Sequence, residues 1–227
     1  MTRPLLEVIV TSAEDARAAE DGGADRLELV RDLRRGGLTP TMEVVERVLE
    51  AVRVPVRVMV RETEAHEVGN PTVAEALVAG ARALGRLPLG GIVTGVLCGG
   101  AVDTGLLGRI VEAGGVPVTF HRAIEEVAAP EEAMTVLRQS PLIDRVLSSG
   151  GPGAWEERIA RLERLAKAGA GQIAVIAGGG LTREDLVRLS ASPIREVHVG
   201  RLARAGGAVD APVSARQVEA LVRALAG

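Results

Sequence analysis

Apolar and polar positions follow two periods that take turns along the chain. Eight short stretches are apolar, or apolar at every second residue, and rich in β-branched side chains, which is the pattern of strands. They are 5–10 (LLEVIV), 25–30 (DRLELV), 55–61, 90–97, 117–122, 143–149, 172–178 and 195–200. After each comes a stretch whose apolar residues recur every three or four positions, as on one face of a helix, among them 12–23, 41–52 and 155–169. Ser12 is placed to cap the first of these, with Asp15 to answer it. Strands that alternate with helices form a parallel sheet with right-handed crossovers. Eight evenly sized units in 227 residues therefore predict a closed (β/α)8 TIM barrel of the α/β class. The competing arrangement, an open doubly wound sheet, is disfavoured because no G-x-G-x-x-G follows the first strand. The sequence GADRLELV around Arg26 is echoed by LIDRVLSS around Arg145, as two half-barrels would be. No linker or shift of composition divides the chain, so residues 1–227 are expected to form a single domain.

Composition narrows the picture. Phe120 and Trp155 are the only aromatic residues, so Val, Leu, Ile and Ala must fill the core. A net charge of −3 and so few rings leave neither the basic footprint nor the stacking platforms of nucleic-acid binding. Lys167 is the only lysine; the other basic residues are arginine. The single Cys98 excludes an internal disulfide. No apolar run approaches the ~20 residues of a membrane span, and the N-terminus lacks the regions of a signal peptide. A cytoplasmic protein is expected.

In TIM barrels the ligand site lies at the C-terminal ends of the strands. Polar residues there are Glu28, Arg61, Glu62, His121, Arg122, Ser148, Ser149, His198 and Arg201. Strand parity sends Glu7, Glu28 and His198 inward, because their apolar neighbours face the helices. Inward charges such as Glu7, Glu28, Arg57 and Arg61 require either mutual pairing or a ligand that completes the set. His121 beside Arg122 reads as an acid/base or ligand-binding couple, with a neutral core histidine as the alternative. His66 lies in a polar loop and reads as solvated. Gly178, Gly179 and Gly180 after the seventh strand, with Gly200 and Arg201 after the eighth, are candidates for an anion site; a tight turn before Thr182 caps the next helix is the other reading. No cysteine pair or H-x-x-x-H marks a metal centre, so the metal ligands stay unknown, and Cys98 reads as an inert thiol.

Taken in order, GGADRLELV (22–30), GGLTP (36–40), VRVMVRETE (56–64), GIVTGVL (91–97), VTFHRAIEEV (118–127), DRVLSSGG (144–151), IAGGGLT (176–182) and VHVGR (197–201) resemble the CutC family of copper homeostasis proteins. The resemblance implies a TIM barrel, a cytoplasmic copper-handling role, copper as the ion, a homodimer in some members, and Glu28, Arg61, His121 and Arg122 as charged positions of the barrel mouth. It also marks departures. Where the family commonly reads IELC this chain has LELV, so Val30 stands at the cysteine position; MIRPR becomes MVRET, and FHRAFD becomes FHRAIEE, which leaves Glu125 or Glu126 as the carboxylate near His121. Two functions follow. One is copper handling. The other is an enzyme acting on a small anionic or phosphorylated substrate, with Arg61 and Arg122 holding the anion, His121 as acid/base and Glu28 as its partner.

Overall fold

Helices begin where a short polar side chain can take up the free amides of the first turn. Ser12 Oγ accepts from Asp15 N–H at 3.2 Å, Thr41 Oγ1 accepts from Val44 N–H, and Asn70 Oδ1 accepts from Thr72 N–H beside Pro71. Asp15 does not answer Ser12 as expected. Its carboxylate takes the N–H and hydroxyl of Thr11 and the N–H of Val213, and pairs with Arg204, so it ties the first helix to the end of the chain.

In the computed structural model, which describes residues 3–226, the strands are β1 Leu5–Val10, β2 Arg26–Leu29, β3 Val56–Met59, β4 Gly91–Thr94, β5 Leu97–Cys98, β6 Ala101–Val102, β7 Val118–Phe120, β8 Ile143–Ser148, β9 Ala174–Gly178 and β10 Glu196–Val199. The helices are α1 Ala13–Asp21, α2 Met42–Ala51, α3 Pro71–Leu84, α4 Thr104–Gly114, α5 Pro130–Leu137, α6 Trp155–Gly169, α7 Arg183–Ser190 and α8 Ala215–Ala226. Strands β1, β2, β3, β4, β7, β8, β9 and β10 hydrogen-bond in that order, all parallel, and β10 closes onto β1 with Leu5 opposite Glu196. This is the predicted (β/α)8 TIM barrel. Leu6, Val8, Val10, Leu27 and Leu29 are fully buried under the helix layer, which leaves Glu7, Arg26 and Glu28 on the inner face. No helix among the described residues is long and apolar enough to cross a membrane.

Three strands stop before the apolar pattern does: β3 at Met59, β4 at Thr94 and β7 at Phe120. The ladder ends with Val60 N–H on Val93 O and His121 N–H on Thr94 O, both 2.8 Å, and the released residues form the mouth. His121 thus sits beyond its strand, and Leu97 belongs to the β5–β6 hairpin, whose turn residues Gly99 and Gly100 both have positive φ.

The lower half of the barrel interior holds a continuous chain of ion pairs. Glu7 meets Arg26, Arg26 meets Glu196 (2.6 Å), Glu196 meets Arg145 (2.8 Å), Arg145 meets Asp144, and Asp144 meets Arg57 (2.6 Å). Arg57 also donates to Thr119 Oγ1. Mutual pairing therefore accounts for Glu7 and Arg57 at the floor, but Glu28 and Arg61 lie outside the chain.

Candidate functional site

Above that floor a cavity of about 940 Å³ opens at the C-terminal ends of the strands. Glu28 and His198 form part of its base, and Arg61, His66, His121 and Arg122 part of its wall. Glu28 is 2% exposed, and its Oε2 has no hydrogen-bond partner among the described residues; His198 Nδ1 lies 3.7 Å away. The same Nδ1 is 2.8 Å from Glu7 Oε1. Burial pushes the Glu28 carboxyl up to about 7, a rise that the Glu7 charge adds to and the His198 imidazole partly offsets. Burial works against a charged His198, yet Glu28 and Glu7 together hold it above the ordinary histidine value. Burial likewise opposes the Glu7 anion, but Arg26 and His198 hold its carboxyl well below the usual range. The partner of Glu28 is His198, not His121 as expected. β1 carries Glu7 beside His198 on β10, and β2, on the other edge of β1, carries Glu28.

His121 caps a short 3-10 turn, Arg122–Glu125, by accepting from Ala123 N–H at Nδ1 (3.2 Å). The proton of the neutral ring then sits on Nε2, a buried donor with no partner among the described residues. Gly95 makes room for the ring, since a Cβ there would lie 2.5 Å from Nδ1. Burial holds the His121 pKa well below the ordinary value, with His66 and Arg61 adding to the effect. In an NMR titration the His121 ring should therefore remain neutral below pH 6.5, the ordinary value from which His198 is raised. A His121 midpoint at or above the ordinary value would contradict this assignment.

Of the other expected residues, Arg61 does not reach inward for an anion. Its guanidinium donates to the carbonyls of Thr63 (2.9 Å), Glu64 and Gly36, folding back onto its own loop. Burial lowers its pKa. Arg122 forks onto Glu125 (3.1 and 2.9 Å), which also accepts from Ser149 N–H at 2.5 Å and Ser148 Oγ. Burial would raise the Glu125 pKa, but Arg122 and Ser149 hold it down. Glu126 reaches His66, not His121, at 2.6 Å. His66 packs on the His121 ring with centroids 4.8 Å apart, so the residue taken for a solvated loop is part of the wall. Nothing in the periodicity of ETEAHEVGN signals that contact. Cys98 is exposed on the hairpin.

Gly178 lacks a Cβ because Leu147 and His198 occupy that space (2.7 and 3.0 Å), so it packs the base of the site instead of facing a ligand. Gly179 and Gly180, both with positive φ, line the cavity with Gly200 and Arg201. Thr182 N–H is taken by Asp185 at 2.8 Å in a capping box, so that amide is not free for an anion.

Comparison with known proteins gives a single picture. The model of the CutC family matches residues 4–203. Over 197 residues the chain is 36% identical to the copper homeostasis protein cutC homolog of Homo sapiens, spanning 86% of this chain and 72% of the human one. It is also 36% identical over 196 residues to the family protein CutC of Klebsiella pneumoniae, spanning 86% and 78%. A crystal structure of CutC from Streptococcus agalactiae, 22% identical, matches with a TM-score of 0.77 over 87% of this chain and 98% of that one, a likeness of fold.

Proposed function

Since the chain belongs to the CutC family, we propose that it serves copper homeostasis in the cytoplasm and meets its ligand in the cavity at the barrel mouth. The observation that carries this reading is identity over most of the chain with relatives named for copper homeostasis. Copper is the cargo in this reading, and the donors present limit its form. At the position where the family commonly has cysteine, Val30 packs in an apolar cluster with Met59 and Val93. Cys98 is alone and lies outside the cavity. Copper(I), which is soft and favours several thiolates or thioethers, has no such set there. A cytoplasmic location and a homodimer are further parts of the proposal and rest on the resemblance; sedimentation equilibrium checks the dimer.

The test is copper tolerance of the host with the gene deleted, complemented by wild type or by His121→Ala. The expected result is a copper-sensitive deletion that wild type restores. Tolerance equal with and without the gene would sink the reading. Calorimetry with copper(I) under reducing conditions separates direct binding from an indirect role.

One observation favours a second reading, an enzyme or binder of a small anion. The His121 Nε2–H donor is buried without a partner among the described residues, in a cavity that Arg122 and Arg201 also line. Inorganic phosphate or a small carboxylate added to the protein should then shift the His121 ring resonances, and unchanged spectra would remove this reading.

A further inference from the structure

Glu7, Glu28 and His198 each bring one donor atom to within 4.8 Å of the others, and all three residues are buried. Three adjacent strands of a closed barrel, β10, β1 and β2, fix that spacing, a more rigid support than loops provide. The orphaned Glu28 Oε2 is the second observation. A carboxylate oxygen buried without a hydrogen bond is costly unless some species takes it up. Glu28 and His198 also border the cavity, so a species from solvent can reach them.

We propose that Glu7, Glu28 and His198 bind one divalent transition-metal ion of the zinc or cobalt class, with its remaining coordination positions open to the cavity. Two carboxylate oxygens and one imidazole nitrogen suit borderline ions. They do not suit copper(I), and they are too few for calcium, which takes about six to eight oxygens. Glu7 is oriented for this task, because its second oxygen is held by Arg26 as metal-binding carboxylates commonly are. Three protein ligands with an open position allow the ion to hold a water or a small ligand. The site is independent of the copper reading, since zinc or cobalt binding requires no role in copper tolerance.

The test strips the full-length protein with a chelator and titrates cobalt(II), read by visible absorption, with zinc(II) as competitor and calorimetry for stoichiometry. The expected result is one equivalent of cobalt with the intense absorption of a four- or five-coordinate ion, displaced by zinc. Glu28→Gln should weaken binding at least ~100-fold, more than loss of a supporting hydrogen bond does. Because Glu28 Oε2 has no hydrogen-bond partner among the described residues, the isosteric change breaks no hydrogen bond of that atom there, and circular dichroism verifies the fold. His198→Gln is the second variant, with the same loss expected. Cys98→Ser, outside the cavity, should bind as wild type does. The wild-type titration decides the matter even without variants: cobalt left as the weakly absorbing aqua ion overturns the proposal. Binding that survives both Glu28→Gln and His198→Gln, or that Cys98→Ser abolishes, overturns it equally.

Discussion

Replacing Arg26 with Met should lower the free energy of unfolding by about 3–5 kcal/mol, the range for breaking a buried ion pair from one side. Arg26 is 4% exposed and holds two carboxylates, Glu7 through Nε and Glu196 through a terminal nitrogen at 2.6 Å. Met fills much of the same volume, so the loss comes mainly from Glu7, left with only His198 beside it, while Glu196 keeps Arg145 at 2.8 Å. Denaturant unfolding at neutral pH measures it. A change of less than about 1 kcal/mol, the range of exposed pairs, would mean that the chain of charges is solvated and structurally idle. The double variant Glu7→Gln/Arg26→Met should recover part of the loss, because it removes one stranded charge. The pH dependence provides a second check. Glu7 has a depressed folded-state pKa, so it contributes stability that is present above its ordinary value of 4.5 and lost as pH falls through the folded value. In Arg26→Met that acid-side loss should shrink, because the cation that depresses the pKa is gone.

How far the sequence foretells this arrangement depends on the range of the interaction. Strand and helix periods are local, and they predict the barrel because eight repeats leave few other ways to bury an apolar face on each element. Parity is local too, which is why Glu7, Glu28 and His198 are legible as inward residues. Their partnership is not. Glu7 and His198 are 191 residues apart and meet because the last strand closes onto the first, a contact that no local pattern encodes. The ion-pair chain through Asp144, Arg145 and Glu196 is hidden for the same reason. Arg61 illustrates a different gap. A late-strand arginine reads as a ligand clamp, but three loop carbonyls satisfy its guanidinium first, and loop backbone conformation leaves no periodic trace. His66 is concealed likewise, in a polar loop that folds over His121.

Glu28→Gln, by contrast, should stabilise the protein at alkaline pH in metal-free, chelated buffer. Burial raises the Glu28 carboxyl from 4.5 to about 7, so the folded state keeps a proton that the unfolded chain releases. The sign follows from linkage. Below 4.5 the group is neutral in both states and contributes nothing; between 4.5 and about 7 the unfolded state ionises first, and stability falls as pH rises. Above about 7 the folded protein carries the full penalty of a buried anion, at most roughly 3 kcal/mol at 1.36 kcal/mol per pKa unit. Glutamine keeps the shape and removes the charge. The variant should therefore come close to wild type near pH ~4 and exceed it by roughly 1–3 kcal/mol near pH ~9, as read from denaturant midpoints at the two values. Equal stability at alkaline pH would mean that Oε2 is hydrated and not orphaned, and it would weaken the case for a site there. A gain of the expected size would identify Glu28 as a residue the barrel keeps at the expense of its own stability. That is the behaviour of a group selected for a ligand, since a residue selected for packing would contribute to stability at every pH.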